Sequence, residues 1–188
     1  SIGGLIFGVF FGVFFGIFAG TKPNSMRDTF SMIIALCGIS LPSFWIGMML
    51  IYIFGTTLGW VPIVGEGFVS LILPSITVGL FFAGGMARLT RSSLVDVLNQ
   101  DYIRTAKAKG LSRFVIIKDH ALKNALNPVV TAISGWFASL LAGAVFVEFI
   151  FGWNGIGKEI VNALNLLDLP VIMGSVLVIA FMFILIKY

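Results

Sequence analysis

Residues 88–128 read RLTRSSLVDVLNQDYIRTAKAKGLSRFVIIKDHALKNALNP, and the fold follows from how this stretch is read. It carries eight Lys/Arg against three Asp, a formal charge of +5 with His120 neutral. No other long segment of the chain is polar. Of all residues 59% are hydrophobic and only 11% are charged, against about 25% charged in a soluble domain. Mean hydropathy is +1.07. The apolar runs on either side of the basic stretch are about 18 to 25 residues long, enough to cross a hydrocarbon core ~30 Å thick. The chain therefore reads as an all-α integral membrane protein, interrupted once.

Working outward, three spans are expected before the basic segment, over 2–19, 30–54 and 68–87, and two after it, over 129–150 and 170–186. In the first span Gly4, Gly8, Gly12, Gly16 and Gly20 recur every four residues. That makes a smooth stripe against which another helix packs closely in lipid. Pro42 lies near the middle of the second span and removes a backbone donor, so a kink is expected there. It marks either a packing kink or the wall of a pathway. A loop over 55–67, with Trp60 at interfacial depth and Glu66 as its only charge, precedes the third span. A second loop over 151–169 carries Trp153, Lys158, Glu159 and Asp168.

Charge orients these spans. With the 21–28 turn, the 88–128 segment and Lys187 on one side, that side holds eleven Lys/Arg against four Asp/Glu, a balance of +7. The other side has Lys158 against four acidic residues, a balance of −3. The positive-inside rule makes the first side cytoplasmic. The same asymmetry accounts for a pI near 9.5 without nucleic acid, which is excluded as a partner. Cys37 is the only cysteine, so neither a disulfide framework nor a metal cluster is available. Ser1 leads directly into an apolar run without a basic n-region, so no signal peptide is expected. Five spans that begin outside and end inside predict one further span upstream, and the stop at Lys187-Tyr188 leaves room for a continuation.

Within the basic segment, Asp101 is a good N-cap and Gly110 a good C′ residue for a helix over 102–109. Val95, Leu98, Tyr102 and Ala106 continue its apolar spacing. Ser112 is placed to cap a second helix ending near Pro128, with Phe114, Ile117, Ala121 and Ala125 on one face. Arg113, His120, Asn124 and Asn127 fall on another. A basic amphipathic unit of this kind lies on anionic lipid, folds back as a loop, or fits a groove on a partner protein. The small residues Thr105, Ala106, Ala108 and Gly110 suit close contact with protein, but periodicity leaves the alternatives open.

The stretch DYIRTAKAKGLSRFVIIKDHALKNALNPVVT closely resembles the cytoplasmic loop of permease subunits in binding-protein-dependent ABC importers. More narrowly, it is similar to the first permease subunit of the dipeptide, oligopeptide, nickel and opine group. GISLPSFWIGMMLIY, LGWVPIVGEG, LPSITVGL, ARLTRSS and VEFIFGWNGIGKEIVNA resemble that group in the same order, so the likeness covers essentially the whole sequence. In the family this loop carries the EAA motif, whose glycine follows the glutamate by six residues. Gly110 takes the glycine position and Ala106 the second alanine, while Arg104 and Thr105 replace the glutamate and first alanine. No role of the glutamate is therefore carried over. The proline lies further past the glycine than in the wider superfamily, as is typical of the peptide/nickel group.

The resemblance implies a type I ABC importer permease fold and a single transmembrane domain that forms half of a solute pathway. Residues 102–110 would be its coupling helix, with Asp101, Tyr102, Arg104, Thr105, Ala106, Lys107, Ala108, Lys109 and Gly110 at the ATPase contact. The implied partners are a second homologous permease subunit in a heterodimer, two ATP-binding ATPase subunits and an extracytoplasmic solute-binding protein, in membrane lipid. The implied location is the plasma (inner) membrane of a bacterium or archaeon, with di- or oligopeptides as the expected solutes and nickel or opines as the alternative. No cofactor is expected, and ATP hydrolysis would belong to the partners.

Other residues are weighed against this. Residues 152–159, GWNGIGKE, fall one residue short of a P-loop, because Glu159 stands where a hydroxyl must meet Mg²⁺. The resemblance makes this loop, with Trp153 and Asn154, part of an outer gate or binding-protein contact. Glu148 near the outer end of the fourth span is an ionisable group in a membrane, a functional candidate or a snorkelling one. Ser40, Ser75, Thr77, Ser134 and Ser139 either face a pathway or bond their own backbone. An ion-coupled secondary transporter is the rival class, but the span centres lack the coupling carboxylates it would use.

Overall fold

The computed structural model describes residues 2–62, 67–143 and 145–187. Glu66, expected as the only charge of its loop, lies outside the described residues, as does the side chain of Ser139. Among the described residues eleven α-helices follow one another: α1 (Ile2–Gly20), α2 (Met26–Ser40), α3 (Ser43–Leu50), α4 (Ile72–Leu98), α5 (Asp101–Ala108), α6 (Arg113–Val115), α7 (Leu122–Ala125), α8 (Asn127–Gly143), α9 (Val145–Ile150), α10 (Ile156–Asn165) and α11 (Leu169–Lys187). π-Helical turns prolong α3 over Ile51–Thr57 and join α6 to α7 over Ile116–Ala121.

The glycine stripe of α1 finds its partner in α4. A Cβ on Gly4 would meet Val78, on Gly8 Phe82, on Gly12 Met86, on Gly16 Thr90 and on Gly20 Leu94. Each glycine thus sits opposite a residue at one constant offset, so the two helices run parallel with the ridge of α4 in the groove of α1. At Gly12 the approach is so close that a Cβ would lie 2.4 Å from the Met86 Cβ and 2.8 Å from the Ala83 carbonyl oxygen. The opposite ridge of α1 (Ile2, Ile6, Phe10, Phe14, Phe18) is exposed. α2 packs antiparallel on α4: the Leu80 carbonyl faces Gly38, and the Ala35 carbonyl faces Gly84. On the third side, Trp136 of α8 rests on Gly85 and on the Phe82 ring, with centroids 5.7 Å apart. α4 is the spine of the molecule.

Among the described residues two helices, Ile2–Gly20 and Val69–Leu98, are each long and apolar enough to cross a membrane. Met26–Ser40 with Ser43–Thr57 makes a third if that pair is one span, and Leu169–Leu185 is a shorter apolar helix. The kink expected at Pro42 is a full break, with the two halves bent by 100°. Proline supplies only the missing donor; the angle comes from α3 folding onto the far end of α4, where Gly47 sits against Phe151, Thr77 and Ile150.

Three further boundaries differ from expectation. The helix of the third span does not stop at 87: α4 continues to Leu98 and carries the first part of the basic segment as helix. The region 151–169, read as a loop, contains the helix α10, which buries Gly157 and Ala163. Pro128 does not separate helix from span: it lies in the first turn of α8, where its missing N–H has no helical partner to lose.

Candidate functional site

The basic segment folds into a small core of its own. Leu94, Ile103, Ala106, Ile116, Ala121 and Ala125 are buried together, with Ile17, Val97 and Leu98 packed around them. The C-terminal end of α1, the tail of α4, α5 and the 113–125 strip therefore share one apolar centre. Polar ties reinforce it: Ser93 Oγ donates to the Ala125 carbonyl at 2.8 Å, and Asn124 Nδ2 donates to the Tyr102 hydroxyl at 2.9 Å. The Arg113 guanidinium also donates to the Thr21 carbonyl, reaching the turn between α1 and α2.

Within α5 the sides are clear. Ile103 and Ala106 face inward, whereas Asp101, Tyr102, Arg104, Thr105, Lys107, Ala108, Lys109 and Gly110 are exposed. Ala106, expected at an outer contact, instead lets α5 lie close to its own core. The N-cap differs from expectation too: Gln100 holds that position, and Asp101 is the first helical residue. From there its carboxylate meets Arg104 at 3.3 Å, and its carbonyl accepts from Thr105 Oγ1 at 3.1 Å.

The C-terminal stop is as expected. Gly110 has φ +78°, its N–H donates to the Lys107 carbonyl at 3.0 Å, and the Leu111 N–H reaches back to the Ala106 carbonyl at 3.3 Å. This is a Schellman closure, which needs a left-handed residue where only glycine is unstrained.

The second helix corrects the sequence reading. Ser112 does cap it, accepting from the Val115 N–H, and Ala121 and Ala125 do face inward. Phe114, expected on that face, is 72% exposed, and Ile116 is buried in its place. The cause is the π-turn over Ile116–Ala121, which adds a residue to one turn and makes the inward spacing five and then four.

The outer candidates divide between two cavities. Pro42 lines one of about 450 Å³, walled by Phe81, Phe82 and Trp136. Glu148, Trp153 and Asn154 line another of about 160 Å³, with Pro74 and Ser75. Val78 and Val147 border both. Ser134 joins neither; its hydroxyl donates to the Thr131 carbonyl at 2.8 Å. Thr77 likewise bonds its own helix, donating to the Leu73 carbonyl at 2.8 Å.

A pairing that periodicity does not signal ties the other end together. Asp28, buried in the first turn of α2, accepts two bonds from Arg91 of α4 and one from the Asn24 N–H at 2.8 Å. Spatial, not sequential, neighbourhood makes this contact, so no spacing rule could have found it.

Apolar helices ranked on one spine, carrying a basic helix docked at a single end, define an all-α integral membrane protein with one specialised polar face. The chain belongs to the family described as binding-protein-dependent transport system inner membrane component, whose pattern matches residues 12–188. It is therefore a transport component of the inner membrane. Among its relatives are the glutathione transport system permease proteins GsiC of Escherichia coli, Shigella dysenteriae serotype 1 and Salmonella paratyphi A. Each is 46% identical over 165 residues, which is 87% of this chain and 54% of the relative. The chain thus spans about half the length of the curated relatives it matches.

Proposed function

We propose that this chain is a permease subunit of an ABC importer, that it forms half of a solute pathway through five spans, and that α5 is its coupling helix. The observation that carries this reading is the build of α5. Its inner residues Ile103 and Ala106 share a core with α1, α4 and the 113–125 strip, while its outer face is basic and exposed, tied only by the Arg104–Asp101 pair, the Thr105–Asp101 bond and the Asn124–Tyr102 bond among the described residues. A helix fixed on one side and bare on the other transmits a push to the spans it is fixed to. ATP-driven closure of two partner ATPases would displace α5 and its counterpart as levers. The spans then exchange between two packings, biased by nucleotide on one side and by the binding protein on the other. The basic end is cytoplasmic in this reading, as the charge balance favours.

Peptide-sized solutes suit it, with glutathione the first to test because the relatives are named for its transport. Co-purification of the tagged full-length protein tests the reading. It should bring down ATPase subunits and a second, related permease. A protein that purified alone and carried solute down an ion gradient would belong to the secondary transporters.

A further inference from the structure

The cavity under the α9–α10 turn contains a carboxylate whose surroundings are unusual. Gly157 donates its N–H to Glu148 Oε2 at 2.9 Å. Gly155 lies so near the carboxyl group that a Cβ there would come within 2.4 Å of Oε2. The Trp153 N–H donates to the Glu148 carbonyl at 2.9 Å, and Gly152 makes the reversal at φ +64°. The chain from 152 to 157 is therefore wrapped around Glu148 and holds it in place.

Those contacts fix the carboxylate without neutralising it. Among the described residues the ion pairs are Arg91–Asp28 and Arg104–Asp101, and Glu148 is in neither. The nearest candidate in sequence, Lys158, turns instead to neutral oxygens, donating to Asn154 Oδ1 at 2.9 Å and to the Gly152 carbonyl at 3.2 Å. Glu148 is only half-buried, and it lines the cavity of about 160 Å³ together with Trp153, Asn154, Pro74 and Ser75.

A fixed carboxylate, an indole and a carboxamide around one recess are the groups that recognise an organic ammonium. The carboxylate supplies charge and a charge-assisted hydrogen bond and the indole face attracts a cation, while the carboxamide, its oxygen already accepting from Lys158, bounds the recess. We infer that this recess is a subsite for the primary ammonium group of the transported solute, with Glu148 as its counter-charge and Trp153 and Asn154 as its walls. This rests on the permease reading for the solute, but not for the chemistry of the site. The volume suits one end group and not a whole peptide, so the rest of the solute would extend towards the neighbouring cavity, which shares Val78 and Val147.

The test uses thiol labelling of the full-length protein with its partner subunits in membrane vesicles, without binding protein. In a Cys37→Ser background, Asn154→Cys reports on the recess, and Ser75→Cys serves as the second reporter. Each is labelled with a trimethylammonium-ethyl and a sulfonatoethyl methanethiosulfonate. The cationic reagent should react about tenfold faster or more, as in a cleft lined by one sign of charge. Glu148→Gln keeps an oxygen for the Gly157 N–H and should abolish that preference. Glycinamide should protect the thiol, and N-acetylglycinamide should not.

Equal rates for the two reagents, a preference that survives Glu148→Gln, or no reaction at either reporter would overturn the assignment. Protection only when binding protein is added would transfer the ammonium to a lysine of that protein and overturn the solute subsite. Labelling is read without transport, so loss of ATP-driven uptake with the labelling pattern intact would count against the permease reading alone.

Discussion

Arg91 holds Asp28 with two parallel bonds, Nε to Oδ1 at 2.8 Å and Nη2 to Oδ2 at 2.7 Å, across 63 residues of sequence. The pair joins the first turn of α2 to the stretch of α4 that leads into α5. Asp28 has 5% of its side chain exposed and Arg91 30%, so the carboxylate depends on this partner. Removing one member of a buried pair costs about 3–5 kcal/mol, and the exposure of Arg91 places this one at the low end. Thermal unfolding of Asp28→Ala, Arg91→Ala and the double variant should give a coupling energy of about 1–3 kcal/mol. Additive losses would mean that the two residues act independently.

Helix α1 has no room for a side chain in the middle of its stripe, at Gly8, Gly12 and Gly16. Gly12→Ala would place a methyl group 2.4 Å from the Met86 Cβ and against the backbone of Ala83, forcing two helices apart. A loss of about 1–3 kcal/mol is expected from overpacking. Gly174→Ala on α11 is the control, because a Cβ there meets nothing within 4 Å. Its midpoint should stay at or slightly above that of the parent. Equal effects of the two substitutions would contradict the close α1–α4 contact.

The core under α5 makes a sharp comparison. Ile116 is buried and Phe114 is 72% exposed, although sequence spacing favours the phenylalanine. Ile116→Ala should cost about 2–4 kcal/mol through the cavity it leaves, and Phe114→Ala should stay within about 0.5 kcal/mol. Denaturant midpoints of the two variants decide it. The reverse order would mean an unbroken α-helix over residues 113–125.

These residues also show what sequence could and could not convey. Gly110, Ser112, Ala121 and Ala125 were legible because capping and small-residue spacing are local properties. Ile103 and Ile116 were missed for different reasons. Ile103 lies at the correct spacing from Ala106, but the more visible Tyr102 drew the face one residue away. Ile116 depends on a π-turn, whose extra residue shifts the register without a compositional mark. The glycine stripe announced a close partner, but only the fold names α4. Pro42 announced a break, while its 100° angle depends on Gly47 meeting Phe151 and Thr77, far away in sequence. Glu148, Trp153 and Asn154 were each visible singly; that they enclose one recess is a tertiary fact.

Gly110 tests the central claim most directly. It sits at φ +78° with nothing within 4 Å of where a Cβ would be, so Gly110→Val meets no clash. It does strain the backbone, by about 1–2 kcal/mol for an L-residue in the left-handed region, at the turn that ends α5. In proteoliposomes holding the complete transporter and its binding protein, ATP hydrolysis and solute uptake are measured together for the parent and for Gly110→Val. Continued hydrolysis with uptake lost, in a complex that still assembles, is the predicted result. Uptake per ATP equal to that of the parent would contradict the assignment of α5 as the coupling lever.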